Sequence, residues 1–354
     1  MEVSMFAWVR RKNSGKQART PQPTVASGRR RRLSLVLLTA ILPLGVAFSQ
    51  SPVVARAALA TNVCGTWAML QVSKTSAMTF FTPTINAALA IPGVKGLSLR
   101  APWTAITSNL TIFDMGVQLA AADHSALAIR FLAGKDTPTQ FLGNSTKMGT
   151  STIPLPWGAG STSTSFVPNT TFETAYSATV HQLAAYALLH GIRILHLPWY
   201  SGATAEIYDG PEVVKAPGYS TSNFLTGYER LMAIGLSVAG PNLAVEYPLG
   251  GVGTAPFVKP LEAYMASLAG PMNPDAMVQF NDLTDVMPGP QHSATGVNIT
   301  RQMQGQGDFN WTNVYQTLNT QGSQAVEIYL QSFAPSLAHA ALLRQQAASF
   351  ATTC

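Results

Sequence analysis

The chain has 354 residues, of which 47 % are hydrophobic and only 11 % charged, so a sizeable core can form and a disordered body is excluded. The formal net charge is +6, yet residues 1–60 carry ten Lys or Arg against one acid, Glu2, a net of +9 that leaves −3 on the remainder. The basic balance belongs to the leader, and the body shows no nucleic-acid signal.

The leader runs from Arg29-Arg30-Arg31-Arg32 through an apolar stretch, Leu33 to Phe48, to small residues ending Ala58-Leu59-Ala60. That order predicts a secretory signal peptide cut near Ala60, with residues 1–60 as leader and 61–354 as one exported domain. The apolar stretch is shorter than the roughly 20 residues of a membrane span, so no stable span is expected after cleavage. An uncleaved leader would act as an N-terminal membrane anchor. The body holds two cysteines, Cys64 and Cys354, at its extremes. Export makes a disulfide between them the expectation. Sequons at Asn109, Asn144, Asn169, Asn298 and Asn310 matter only in a host that glycosylates secreted proteins.

From residue 61 the segments TWAMLQVS and AMTFFTPTI read as an opening strand and a covering turn. A short strand over Gly93 to Arg100 ends in APW, and a helical stretch follows to about Ala122. Ala126 to Leu132 is the next strand, leading into AGKDTP. Residues 140–170, rich in Gly, Ser, Thr and Pro, read as a long loop. Phe172, Tyr176, Val180, Leu183 and Ala187 recur at spacings of three and four, which predicts a helix to His190. The stretch GIRILHLPWYSGATAEIYDG, Gly191 to Gly210, organises the chain. Its apolar run is a buried strand stopped by Pro198, which has no N–H for a ladder. It delivers His196, Trp199, Tyr200 and Glu206 to a polar loop, as an α/β barrel presents an active site.

Helices over Asn223–Leu236, Pro260–Leu268, Trp311–Leu318 and Ser336–Phe350 alternate with strands at Leu243–Tyr247, Ala276–Phe280 and Ala325–Tyr329. A weaker strand lies at Val297–Met303. Strands alternating with helices over about 260 residues predict a parallel α/β sheet. Six clear strands, with weaker candidates in the long loop and at Val297, favour a single-domain (β/α)8 TIM barrel. A doubly wound open sheet is the alternative, but no glycine-rich phosphate loop follows a strand.

In order, GVKGLSLRAPW, AGKDTP, LPWG, a strand leading to AEIY, VQFND and AVEIY resemble the TIM-barrel glycoside hydrolases, the retaining superfamily of cellulases and β-galactosidases. The resemblance covers roughly residues 90–350. It implies two carboxyls flanking a glycosidic bond, with Glu206 as acid/base and Glu327 as nucleophile, and Asp282 and Glu246 as alternative acids. It places Arg100, Trp103, Asp136, His196, Trp199 and Asn281 around the sugar. Glu206 departs from the family in following Ala205 where Asn is usual, and Glu327 in sitting inside its strand.

The expected function is therefore an exported glycosidase acting on an oligo- or polysaccharide. The alternative is a barrel that binds carbohydrate without cleaving it. No cofactor is expected, and no His pair or Cys cluster has the spacing of metal ligands. A Ser-His-Asp hydrolase lacks its G-x-S-x-G elbow. Oligomeric state is not encoded in any motif.

Overall fold

Strand β1 (Gly65–Gln71) is buried over its first six residues, and α1 (Thr75–Leu89) carries the chain back to β2 (Val94–Pro102). Two helices, α2 (Trp103–Ile106) and α3 (Thr111–Ala122), lead to β3 (Ala126–Leu132). A two-stranded antiparallel ribbon follows, β4 (Trp157–Ala159) with β5 (Phe166–Pro168). Then come α4 (Thr170–His190), β6 (Ile194–His196), α5 (Thr221–Leu236), β7 (Ala244–Pro248) and α6 (Ala255–Ala269). The chain ends with β8 (Ala276–Leu283), β9 (Asn298–Met303), α7 (Trp311–Thr320), β10 (Ala325–Tyr329) and α8 (Ala340–Thr353).

This computed structural model describes residues 63–143, 157–159, 166–199, 219–249, 255–270, 273, 275–283 and 297–353. The chain divides into Met1–Val53, which lies wholly outside the described residues, and Val54–Cys354, which holds every element above. The expected leader and its cleavage point fall outside the described residues too. No described helix is long and apolar enough to cross a membrane.

Eight strands close a barrel in the order β1-β2-β3-β6-β7-β8-β9-β10, with β10 returning to β1, and every pair is parallel. The (β/α)8 TIM barrel expected from the alternation is the fold. The eighth strand is β1, not the long loop, whose ribbon stays out of the barrel. The segment expected as a covering turn is the helix α1, which continues through Pro83. Proline removes one intrahelical bond, to the carbonyl of Thr79, and Thr79 is exposed, so water can replace the lost donor.

Local chemistry sets the boundaries. Asn169 caps α4, its side chain accepting the Phe172 N–H at 2.9 Å. Gly191 ends the same helix at φ 66°, a left-handed position that costs glycine nothing. The outward faces of the strands join the helices in one large apolar core. Inside the barrel a separate apolar plug gathers Val63, Trp67, Ala128, Ile194, Ala244, Met277 and Ala325. Gly96 makes room for it: a Cβ there would stand 2.0 Å from the Ala126 carbonyl oxygen and 2.8 Å from the Trp67 ring.

Candidate functional site

Side chains on one face of a strand alternate with period two. Two residues beyond the plug, the inward positions turn polar: Ala128 gives way to Arg130, Ile194 to His196, Ala244 to Glu246, Met277 to Gln279 and Ala325 to Glu327. Arg100, Arg130, His196 and Glu246 are successive cross-strand partners, so they face one interior. All four are at most 6 % exposed.

Glu327 is the most heavily coordinated of these groups. Ser98 Oγ donates to Oε1 and Arg100 to Oε2, while Gln279 Nε2 donates to Oε2 at 2.8 Å. His196 Nε2 lies 3.1 Å from Oε1 without the alignment of a hydrogen bond. Burial by itself would push this carboxyl up. Arg100, then His196 and Arg130, with the Ser98 bond, outweigh it and hold Glu327 well below the ordinary carboxylate range.

Glu246 meets the other side of the histidine. Its Oε1 faces His196 Nδ1, with an Arg130 guanidinium nitrogen 3.8 Å away, and its Oε2 accepts from Thr300 Oγ. His196 thus stands between two carboxylates at the last residue of β6. Arg130 also donates to Gln279 Oε1 at 2.8 Å, and Arg100 to Gln302 Oε1 at 2.5 Å. Arg100 Nε has no partner among the described residues. Two arginines, Arg100 and Arg130, thus face the two carboxylates.

The remaining expected site residues are dispersed. Trp103 is buried between Phe131, Phe141, Phe172 and Tyr176, with ring centroids 4.9–6.3 Å away, and its Nε1 donates to Thr179. Trp199 stacks on Tyr247 at 4.4 Å and donates to the Pro248 carbonyl. Both indoles are core groups without an open ring face. Asn281 is buried in β8, two residues beyond Gln279. Asp136 is half-buried in the turn after β3, where burial raises its carboxyl and Lys135 partly offsets the rise. Glu206 lies outside the described residues, as does the side chain of Asp282 on β8. Cys64 is buried, its Sγ 2.8 Å from the Gln324 carbonyl oxygen, and its expected partner Cys354 lies outside the described residues.

Sequence reasoning brought together Arg100, His196, Glu246 and Glu327, which the barrel does unite. It missed Ser98, Arg130, Gln279, Thr300 and Gln302. The signal was present as single polar residues at period two in apolar strands, Ser98 with Arg100 and Thr300 with Gln302. Among the described residues no three His, Cys, Asp or Glu side chains are placed to hold a metal ion.

No protein-family model matches the chain, and no curated protein matches it. Among solved structures it is similar to a D-allulose 3-epimerase from Methylomonas sp. in complex with D-allulose, with TM-score 0.45, 8 % identity and coverage of 82 % of this chain and 94 % of that one. It is similar also to a D-psicose 3-epimerase in the presence of D-fructose, with TM-score 0.43, 10 % identity and coverage of 82 % and 97 %. A thiamine phosphate pyrophosphorylase from Pyrococcus furiosus follows at TM-score 0.36 and 7 % identity, covering 83 % of this chain and 98 % of that one. At these identities the likeness is one of fold. The expected glycosidase is corrected here: the sugar-acting structures in this set are epimerases, not glycoside hydrolases.

Proposed function

We propose that this barrel is an acid–base enzyme for a small hydroxyl-rich substrate of the carbohydrate class, received at the C-terminal mouth. The observation that carries the reading is His196 between two carboxylates, Glu246 on the Nδ1 side and Glu327 on the Nε2 side. An imidazole so placed takes up or releases a proton while a carboxylate on either side compensates its charge. Arg100 supplies the oxygen contact. Its guanidinium is a fixed donor that favours hydroxyl, carbonyl or carboxylate oxygens, and its side chain keeps 7 % exposure.

Proton exchange with solvent tests this reading. The purified chain is incubated with a panel of aldoses and ketoses in D2O, and deuterium at the carbon beside the carbonyl is followed by NMR. Exchange is expected with at least one member and is lost in His196→Asn. A panel that shows no exchange overturns the proposal.

A further inference from the structure

One pleat period beyond the charged layer the inward positions divide the barrel into two halves. On or just past the ends of β2, β3, β6 and β7 they are Pro102, Leu132, Pro198 and Pro248, all apolar and all buried. On or just past the ends of β8, β9, β10 and β1 they are Asn281, Gln304, Tyr329 and Gln71, each able to donate and to accept a hydrogen bond. Gln71 and Gln304 are exposed and Tyr329 is half-buried. Each half is a run of four neighbouring strands in the closed order.

The polar half stands over one end of the charged layer. Gln71 is the register partner of Arg100, Gln304 lies two residues past Gln302, and Tyr329 two past Glu327. The Arg100 guanidinium joins these last two, donating to Gln302 and to Glu327. Exposure follows the same direction. The side chains of Arg100 and Glu327 keep 7 % and 4 %, those of His196 and Glu246 2 %, and that of Arg130 1 %. A molecule from solvent therefore approaches His196 across Arg100, not across Arg130. Gln304 is fixed in this sector, its Nε2 donating to the Asn281 carbonyl at 2.9 Å.

We propose that the half of the mouth formed by β8, β9, β10 and β1 is the sugar-binding sector of this barrel. Gln71, Gln304 and Tyr329 are its hydroxyl-binding residues, and it takes an uncharged aldose or ketose rather than a sugar phosphate or sugar acid. The neutral class follows from the charges beneath. No described inward position of these four strands carries a cation, and Arg100 on the adjoining β2 is already ion-paired with Glu327. An added anion would compete with Glu327 for that guanidinium and leave a buried charge alone. A hydroxyl needs no such exchange, since it accepts from an amide N–H and donates to an amide oxygen. The inference rests on the acid–base reading of the layer below.

The test reads binding apart from turnover. NMR titration of the purified chain with the aldose and ketose panel, their phosphate esters and the matching sugar acids gives Kd for each. At least one uncharged member is expected to bind, and its phosphorylated and acidic forms to bind more weakly. Gln71→Ala, Gln304→Ala and Tyr329→Phe should each raise that Kd by about threefold to tenfold, the usual loss for one neutral hydrogen bond. KM for deuterium exchange should rise with it while the rate at saturation is kept. Leu132→Met, in the apolar half, should bind as the parent does. A panel that does not bind overturns the proposal. So does a Kd that none of the three variants raises, a loss confined to Leu132→Met, or an anionic sugar that binds more tightly than its uncharged form. Gln71 is exposed, so its variant decides the matter even if the Tyr329 variant does not fold. Binding that responds as expected without deuterium exchange keeps the sector and sinks the acid–base reading alone. Exchange whose KM all three variants leave unchanged does the reverse.

Discussion

The barrel interior has two neighbouring layers built from the same strands, and they obey different rules. The lower one, around Trp67, Ile194 and Met277, is held by shape. One pleat period further on, His196, Glu246, Gln279 and Glu327 are held by the direction of each hydrogen bond. TIM-barrel interiors are ordinarily filled with branched apolar residues, which the lower layer approximates and the upper one abandons. A buried charge network is weak evidence for stability, because apolar residues of similar volume often serve as well. On the acid–base reading proposed above, the upper layer is the part of the barrel kept for chemistry rather than for packing.

The sharpest way to break the contrast is to remove one partner from each layer. Trp67→Ala should cost about 3–5 kcal/mol as a cavity mutation, with little dependence on pH. Arg100→Leu should cost a similar 3–5 kcal/mol near neutral pH, since it strands Glu327 without its main counter-ion. The pH dependence separates them. Glu327 is held below its ordinary value of 4.5, so its contribution is present above that pH and lost as pH falls through the folded value. Arg100→Leu deletes that contribution, so its deficit should shrink in acid while that of Trp67→Ala does not. Urea unfolding midpoints of both variants and the parent at pH 7 and at successively lower pH from 4.5 downward decide it. A deficit for Arg100→Leu that stays constant down that series would mean that the upper layer behaves as plain packing.

How much of this was legible in the sequence follows from the same two layers. The strands β3, β7 and β10 were readable because both faces are buried and their runs are short and apolar. The helix α1 was not, because Pro83 argues against a helix; the exposure of Thr79, whose carbonyl loses its donor, makes it tolerable. In the site, Arg100, His196, Glu246 and Glu327 were reached through the resemblance and their places on the strands, whereas Arg130, the charge within the apolar run of β3, was passed over. Gln279 and Thr300 did not stand out, since a neutral polar residue in a strand looks the same whether it faces solvent or a charge. Trp103 and Trp199 misled for the opposite reason. A tryptophan beside a proline after a strand suits a ring platform, but here tertiary packing closes both faces with other aromatics.

A smaller effect is expected from a buried charge outside the barrel interior. Glu262 on α6 is 6 % exposed, its Oε1 has no partner among the described residues, and burial raises it from 4.5 to about 7, with Lys259 opposing. The folded chain thus binds this proton more tightly than the unfolded chain. Stability carried by the neutral acid is complete below 4.5 and lost as pH rises through about 7. Glu262→Gln should match the parent near pH 4 and exceed it by about 1–2 kcal/mol at pH 8. Denaturant unfolding at the two pH values measures this, and a variant no more stable at pH 8 would show that Glu262 finds a partner.

The smallest effect belongs to the start of α4, in the shell that carries neither layer. Asn169 has two jobs there: Oδ1 accepts the Phe172 N–H at 2.9 Å, and Nδ2 donates to the Leu142 carbonyl at 2.7 Å. The first satisfies one of the donors left open at a helix start, and the second ties that start to the turn after β3. Asn169→Ala removes both and should cost about 1 kcal/mol, close to the usual value for a lost cap. Asn169→Asp separates the two roles. It keeps the acceptor and adds charge at the positive end of the helix, but it cannot donate to Leu142. A thermal unfolding series should place Asp between Ala and Asn if both bonds count. If Asp falls with or above Asn, the Leu142 tie adds nothing to the cap.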